Sequence, residues 1–154
     1  LSACIMASMR AALPIILISA LLPTPVAAED DSLYMARLVA RGFFRALQDR
    51  EAAAMLPLCA EGVSFDGELV KGRAKVRARL ERVVSRARQR NLQLKKVVIL
   101  RYREALELLG PPPERLKNVL APGQMVALAA FSRGGAVAVL DRRGAFWRVV
   151  ALTD

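Results

Sequence analysis

Hydrophobic residues recur at helical spacing in two long segments of the chain. In residues 33–47 the apolar positions repeat every three or four residues, and Ser32 stands where a helix N-cap is favoured. In residues 73–90 the apolar positions fall on a single stripe, and Asn91 follows as a C-terminal stop. The pattern therefore predicts two long helices, with a shorter helix over residues 50–58 between them.

Apolar runs separated by glycine-containing turns predict the strands. Two short strands, 63–66 and 68–70, flank Gly67. The later strands are expected at 94–102, 124–132, 136–140 and 145–152. Residues 104–109 either continue the strand before them or form a short helix, and residues 114–120 form another short helix. Because helices come first and tight turns join the last strands, the fold class is α+β with an antiparallel meander.

The first 28 residues have the layout of a secretory signal peptide. Arg10 precedes the uncharged run 11–22, small residues follow as far as Ala28, and Glu29 opens an acidic stretch. The apolar run is shorter than the ~20 residues that span a bilayer. We expect cleavage before Glu29 and export of one domain, residues 29–154, to the periplasm or the medium. An uncleaved membrane anchor is the alternative.

Two features of the composition exclude several kinds of chemistry. The chain has no histidine, which excludes Ser-His-Asp and Cys-His catalysis and zinc sites that use histidine. Of its two cysteines only Cys59 lies after residue 28, so the exported domain has no intrachain disulfide. The apolar neighbours of Cys59 indicate a buried structural thiol. No cofactor and no metal are expected.

Positive charge is concentrated in residues 71–96, which contain eleven basic residues and one acidic residue. A solvated helix face is the simpler interpretation, and a surface for an anionic partner is the functional one. The candidate residues for that surface are Arg73, Arg77, Arg79, Arg82, Arg86, Arg88 and Arg90. An anionic component of the cell envelope is favoured over nucleic acid, because the chain is exported and no aromatic residue interrupts the segment.

Four motifs resemble the nuclear transport factor two-like superfamily. They are Phe-Phe-x-Ala-Leu at 43–47, Leu-Pro-Leu-Cys-Ala-Glu-Gly-Val-Ser-Phe-Asp-Gly at 56–67, Gly-Arg-x-x-Val at 72–76 and Gly-Ala-Phe-Trp-Arg-Val-Val at 144–150. The resemblance covers the predicted exported domain. It implies a cystatin-like cone, in which a curved antiparallel sheet wraps around the N-terminal helices. The superfamily contains enzymes, ligand-binding proteins and dimerisation modules, so the resemblance alone does not select a function.

Ketosteroid isomerase is the nearest catalytic precedent in that superfamily. It uses an Asp base with a Tyr and a protonated Asp as oxyanion donors. The resemblance places Asp66 at the position of the base, but the position of the tyrosine falls on Phe43 or Phe44, and residues 124–132 contain no carboxylate. Such donors contribute a large part of the catalysis. Asp66 beside Gly67 is also a common turn residue.

The first functional expectation is therefore a non-catalytic domain that binds a small apolar ligand in the cone or forms a homodimer through its sheet. The candidate pocket residues are Tyr34, Phe43, Phe44, Phe65, Tyr102 and Trp147. One alternative is an isomerase-like or cyclase-like pocket enzyme with Asp66 as general base. Another is an envelope module that binds anionic partners through residues 71–96.

Overall fold

The computed structural model describes residues 30–154. Its first helix, α1 (Asp31–Asp49), begins after Asp30, whose carboxylate accepts a 3.1 Å hydrogen bond from the amide of Ser32. The N-cap is therefore Asp30 and not Ser32, which the sequence pattern predicted. The helix ends at Arg50, which lies in the left-handed region with φ 68°.

The remaining elements follow the predicted order with shifted bounds. They are α2 (Ala52–Met55), a 3₁₀ turn (Leu56–Leu58), β1 (Cys59–Phe65), β2 (Glu68–Lys71), α3 (Arg73–Arg90), β3 (Leu94–Arg101), α4 (Tyr102–Leu109), α5 (Glu114–Lys117), β4 (Met125–Phe131), β5 (Gly135–Arg143) and β6 (Phe146–Thr153). The single helix expected over residues 50–58 is thus divided into a short helix and a 3₁₀ turn. The segment 104–109, left open between strand and helix, is helical.

One curled, open sheet contains all six strands in the order β2-β1-β6-β5-β4-β3. The run from β3 to β6 is antiparallel, and for β4, β5 and β6 this is what the tight turns predicted. The pairing of β1 with β6 is parallel and differs from the antiparallel arrangement expected for the whole sheet. Register shifts within the β1–β6, β3–β4 and β5–β6 pairs mark bulges, which bend a sheet and increase its twist.

The main core fills the space between the helices and the inner face of the sheet. Phe43 and Phe44 of α1 are fully buried there. The ring of Phe44 makes edge-to-face contacts with Phe43 at 5.5 Å and with Phe131 of β4 at 6.1 Å between centroids. Such contacts fix the position of α1 against the middle of the sheet.

A second, smaller core lies on the outer face of the sheet. Leu116 of α5 packs there with Val139 of β5 and with Val150 and Ala151 of β6, and half-buried Val119 and Leu120 complete the cluster. The segment between α4 and β4 therefore covers part of the face that is turned away from the helices.

The predicted export segment, residues 1–28, lies outside the described residues. Within residues 30–154, no helix is long and apolar enough to cross a membrane.

Candidate functional site

A cavity of about 260 Å³ opens between α3 and one end of the sheet. We call it the cone cavity. Its wall combines the end of β1, the end of β6 and the turn between β4 and β5 with one face of α3. The apolar side chains that line it are Leu47, Phe65, Val83, Ala87, Leu92, Phe131, Ala136 and Leu152.

The local sequence explains why this space stays open. Helical spacing from Arg79 through Val83 and Arg86 to Arg90 presents one face of α3 to the cavity. On the opposite side the β4–β5 turn contains Gly134, with φ +83°, and Gly135. A Cβ atom at Gly135 would stand 3.0 Å from the carbonyl oxygen of Ala129, so this close turn favours glycine and leaves the opening without side-chain bulk there.

Four arginines line the cavity: Arg79, Arg86 and Arg90 from α3, and Arg133 from the β4–β5 turn. Arg79 is the least exposed and is held by Glu68 at 3.2 Å, with its guanidinium 5.8 Å from the ring centre of Phe65.

Arg90 lies 3.7 Å from a carboxylate oxygen of Asp154, and both side chains are more than half exposed, so this pair is weak. Within residues 30–154, Arg86 and Arg133 have no ion-pair or hydrogen-bond partner. The cavity mouth thus has two unpaired positive charges next to an apolar wall.

Asp66, the candidate base, also lines the cavity but is part of a turn. Its φ of 53° is left-handed, and it precedes Gly67 in the hairpin between β1 and β2. The carboxylate oxygen Oδ1 accepts a 2.9 Å hydrogen bond from the hydroxyl of Thr153 and lies 3.5 Å from a guanidinium nitrogen of Arg115. These contacts give Asp66 a structural role: it ties the β1–β2 turn to β6 and α5.

The candidate pocket aromatics lie in three different environments. Phe65 lines the cone cavity. Phe43, Phe44 and Trp147 belong to the main core, where burial is complete or nearly so. Two further candidates lie away from both places: Tyr34 is half-exposed on α1, and Tyr102 is half-buried at the start of α4.

The seven candidate arginines of the basic segment lie in different local environments. Arg79, Arg86 and Arg90 line the cavity, whereas Arg77 forms a 3.0 Å ion pair with Glu81 one helical turn away. Arg73, Arg82 and Arg88 are exposed and do not line the cavity. Sequence reasoning missed Arg133, and only its place in a glycine turn after a strand could have drawn attention to it.

Cys59 and the acidic residues were candidates for nucleophilic and metal chemistry. Burial raises the pKa of the Cys59 thiol to about 12, although the nearby charge of Arg73 acts in the opposite direction. A thiol with that pKa is protonated at neutral pH and is a poor nucleophile. Within residues 30–154, no group of three His, Cys, Asp or Glu side chains could hold a metal ion.

Comparison with known proteins gives similarity in structure but not in sequence. The sequence matches no protein-family model and no curated protein. A protein of unknown function from Pectobacterium atrosepticum, of the DUF3225 family, is 17% identical with a TM-score of 0.50, covering 81% of this chain and 90% of that one.

Two further solved structures are similar at lower TM-scores. A nuclear transport factor two-like protein of unknown function from Pseudomonas putida has 13% identity and a TM-score of 0.48, covering 80% of this chain and 84% of that one. A proposed ketosteroid isomerase from Kribbella flavida has 18% identity and a TM-score of 0.46, with coverages of 80% and 78%. These identities bear on the fold and not on the activity.

The predicted α+β fold class is confirmed, because α1 and α3 lie against one face of a single curled sheet. Residues 30–154 have an α+β cone-like fold, in which helices pack against a curled, open six-stranded sheet.

Proposed function

We propose that this domain binds a small, mainly apolar molecule in the cone cavity and does not transform it. The observation that carries the proposal is the cavity itself, about 260 Å³ in volume with eight apolar side chains in its wall. Concave, largely apolar sites with a few polar groups are typical of small-molecule binding. Since benzene fills a cavity of ~150 Å³, a ligand of roughly ten non-hydrogen atoms suits this volume.

The polar groups around the cavity favour binding over catalysis. The one candidate base, Asp66, has an oxygen that is occupied by Thr153 and lies close to Arg115. The buried thiol of Cys59 does not line the cavity. A proton-transfer enzyme needs a base that is free to reach its substrate, whereas the contacts of Asp66 with Thr153 and Arg115 tie this carboxylate to the β1–β2 turn.

The proposal also includes the cellular location of the domain. Residues 1–28 support export, so we place the binding domain in the periplasm or outside the cell.

Pairing of two copies through the sheet has less support, because Leu116, Val119 and Leu120 already pack on its outer face.

The proposal is tested with the neutral probe 1-octanol and the domain comprising residues 29–154. Methyl NMR signals of Val83, Leu92 and Leu152, which line the cavity, should shift on titration with the alcohol. Ala136→Leu places added bulk in the cavity wall and should weaken binding at least tenfold. Ala130→Leu is the matched control, because Ala130 is exposed on the neighbouring strand and does not line the cavity.

Circular dichroism and the melting temperature establish that both variants are folded before binding is compared. Val83→Phe provides a second way of filling the cavity from α3 if Ala136→Leu does not fold. Absence of any shift up to the solubility limit of the alcohol would refute the proposal. Equal binding by the control and the filled variants would place the ligand elsewhere and would refute it too.

A further inference from the structure

The two unpaired arginines at the cavity mouth indicate what kind of ligand the cavity takes. We infer that the cone cavity binds a small amphipathic carboxylate, with its apolar tail against the inner wall and its head group between Arg86 and Arg133. This inference rests on the proposed function and adds the charge and the orientation of the ligand.

The first argument is that the four arginines of the cavity differ in their ion-pair partners. Arg79 is held between Glu68 and the ring of Phe65, and Arg90 lies beside Asp154. Arg86 and Arg133 alone among these four have no partner within residues 30–154, although both line the cavity. They come from different elements, α3 and the β4–β5 turn, so a head group held by both would connect these two parts of the wall.

The second argument is the position of these charges relative to the apolar wall. Arg86 and Arg133 are exposed, whereas Phe65, Phe131 and Leu152 of the same cavity wall are buried. A ligand that satisfies both regions has one apolar end and one anionic end. Guanidinium groups bind carboxylates through paired, charge-assisted hydrogen bonds, which also fix the direction of the ligand.

The third argument concerns the charge of the head group. Asp66 and Asp154 also line the cavity and reduce the positive charge of the mouth. Arg79 and Arg90 already lie beside Glu68 and Asp154, so Arg86 and Arg133 are the two charges left for a head group. We take a carboxylate as that head group, and the comparison with octyl phosphate below decides between the two anions.

Octanoate, with ten non-hydrogen atoms, is the probe that matches the volume of the cavity, and 1-octanol is its neutral counterpart. Binding of each to the domain comprising residues 29–154 is measured by isothermal titration and methyl NMR. We expect octanoate to bind about tenfold more tightly than 1-octanol. The preference should decrease between 0.05 and 0.5 M NaCl, because the arginines are exposed and their attraction is screened.

Arg86→Gln and Arg133→Gln should each weaken octanoate binding about fivefold and leave 1-octanol binding unchanged. Arg88→Gln is the matched control, since Arg88 is an exposed arginine of the same helix that does not line the cavity. It should bind both probes as the unmodified chain does. All three positions are exposed, so the substitutions are not expected to affect folding.

The outcomes separate this inference from the proposed function. Equal affinity for octanoate and 1-octanol, or tighter binding of octyl phosphate than of octanoate, overturns the assignment of the head group while cavity binding stands. An effect of Arg88→Gln as large as that of Arg86→Gln also overturns it. Failure of both octanoate and 1-octanol to bind overturns the inference together with the proposed function.

Discussion

Replacing Phe131 with alanine should destabilise the domain less than replacing Phe43 with alanine. Both rings are buried, and each makes one edge-to-face contact with Phe44, so the aromatic contribution lost is similar in the two variants. The two rings differ in what surrounds them apart from Phe44. Phe131 borders the cone cavity, whereas Phe43 does not line it and is fully enclosed in the core.

The magnitude follows from the void that each substitution leaves. Removal of a buried phenyl ring generally costs about 3–5 kcal/mol, part of which is ~24 cal/mol per Å³ of new cavity. For a void of about 100 Å³ that part is roughly 2.4 kcal/mol. At Phe131 the new void merges with the cone cavity, and the ring already lacks packing contacts on the side that faces this cavity. We expect about 3 kcal/mol for Phe131→Ala and about 4–5 kcal/mol for Phe43→Ala.

Urea unfolding followed by the fluorescence of Trp147, the single tryptophan of the chain, measures both values. Unfolding free energies are compared only where the dependence on urea is equal in the two variants. The pair Phe131→Leu and Phe43→Leu should show the same order and replaces the alanine pair if either fails to fold. If Phe131→Ala costs as much as Phe43→Ala, Phe131 does not border an open cavity and the reasoning is refuted.

Three further predictions concern single positions away from the cavity. The hydroxyl of Ser64 is buried and has no hydrogen-bond partner among residues 30–154, so Ser64→Ala should leave the unfolding free energy unchanged or raise it by up to ~1 kcal/mol. A decrease of the unfolding free energy by more than ~1 kcal/mol would contradict this. Because burial raises the pKa of Cys59 to about 12, the native protein should not react with a thiol reagent at pH 8 until urea unfolds it, and rapid labelling without urea would contradict this. Arg50 has φ 68° at the end of α1, so Arg50→Gly should raise the melting temperature, by a stabilisation of up to ~1 kcal/mol, and a lower melting temperature would show that other contacts of Arg50 outweigh its backbone strain.

Elements whose signals are local could be predicted from the sequence. The bounds of α3 were predicted because its apolar stripe is continuous and Asn91 ends it in a left-handed conformation. The ambiguity at residues 104–109 is resolved by a local contact as well. The amide of Arg101 donates a 2.8 Å hydrogen bond to Glu104, which caps the start of α4 and favours a helix over a continued strand.

Features that depend on distant pairing could not be predicted in this way. The strand β1 begins at Cys59, earlier than its apolar pattern indicates, because Cys59 pairs with Val149 of β6. The cavity could not be predicted either, because the residues that line it are distant in the sequence. Arg133 lies in a turn after β4, yet it lines the same cavity as Arg86 of α3 only because the sheet curls back over that helix. Neither residue has a local neighbour in the sequence that would indicate such a site.

The position of β6 has a consequence for how the chain folds. This strand is the last to be synthesised among the described elements, yet it lies between β1 and β5 and joins the two halves of the sheet. Its pairing with β1 closes a loop of about 90 residues, for which the length-dependent entropy alone is roughly 4 kcal/mol. A nascent chain that lacks β6 therefore cannot complete the sheet. Completion of the sheet, and of the part of the cavity wall that β6 contributes, therefore follows synthesis of every other described element.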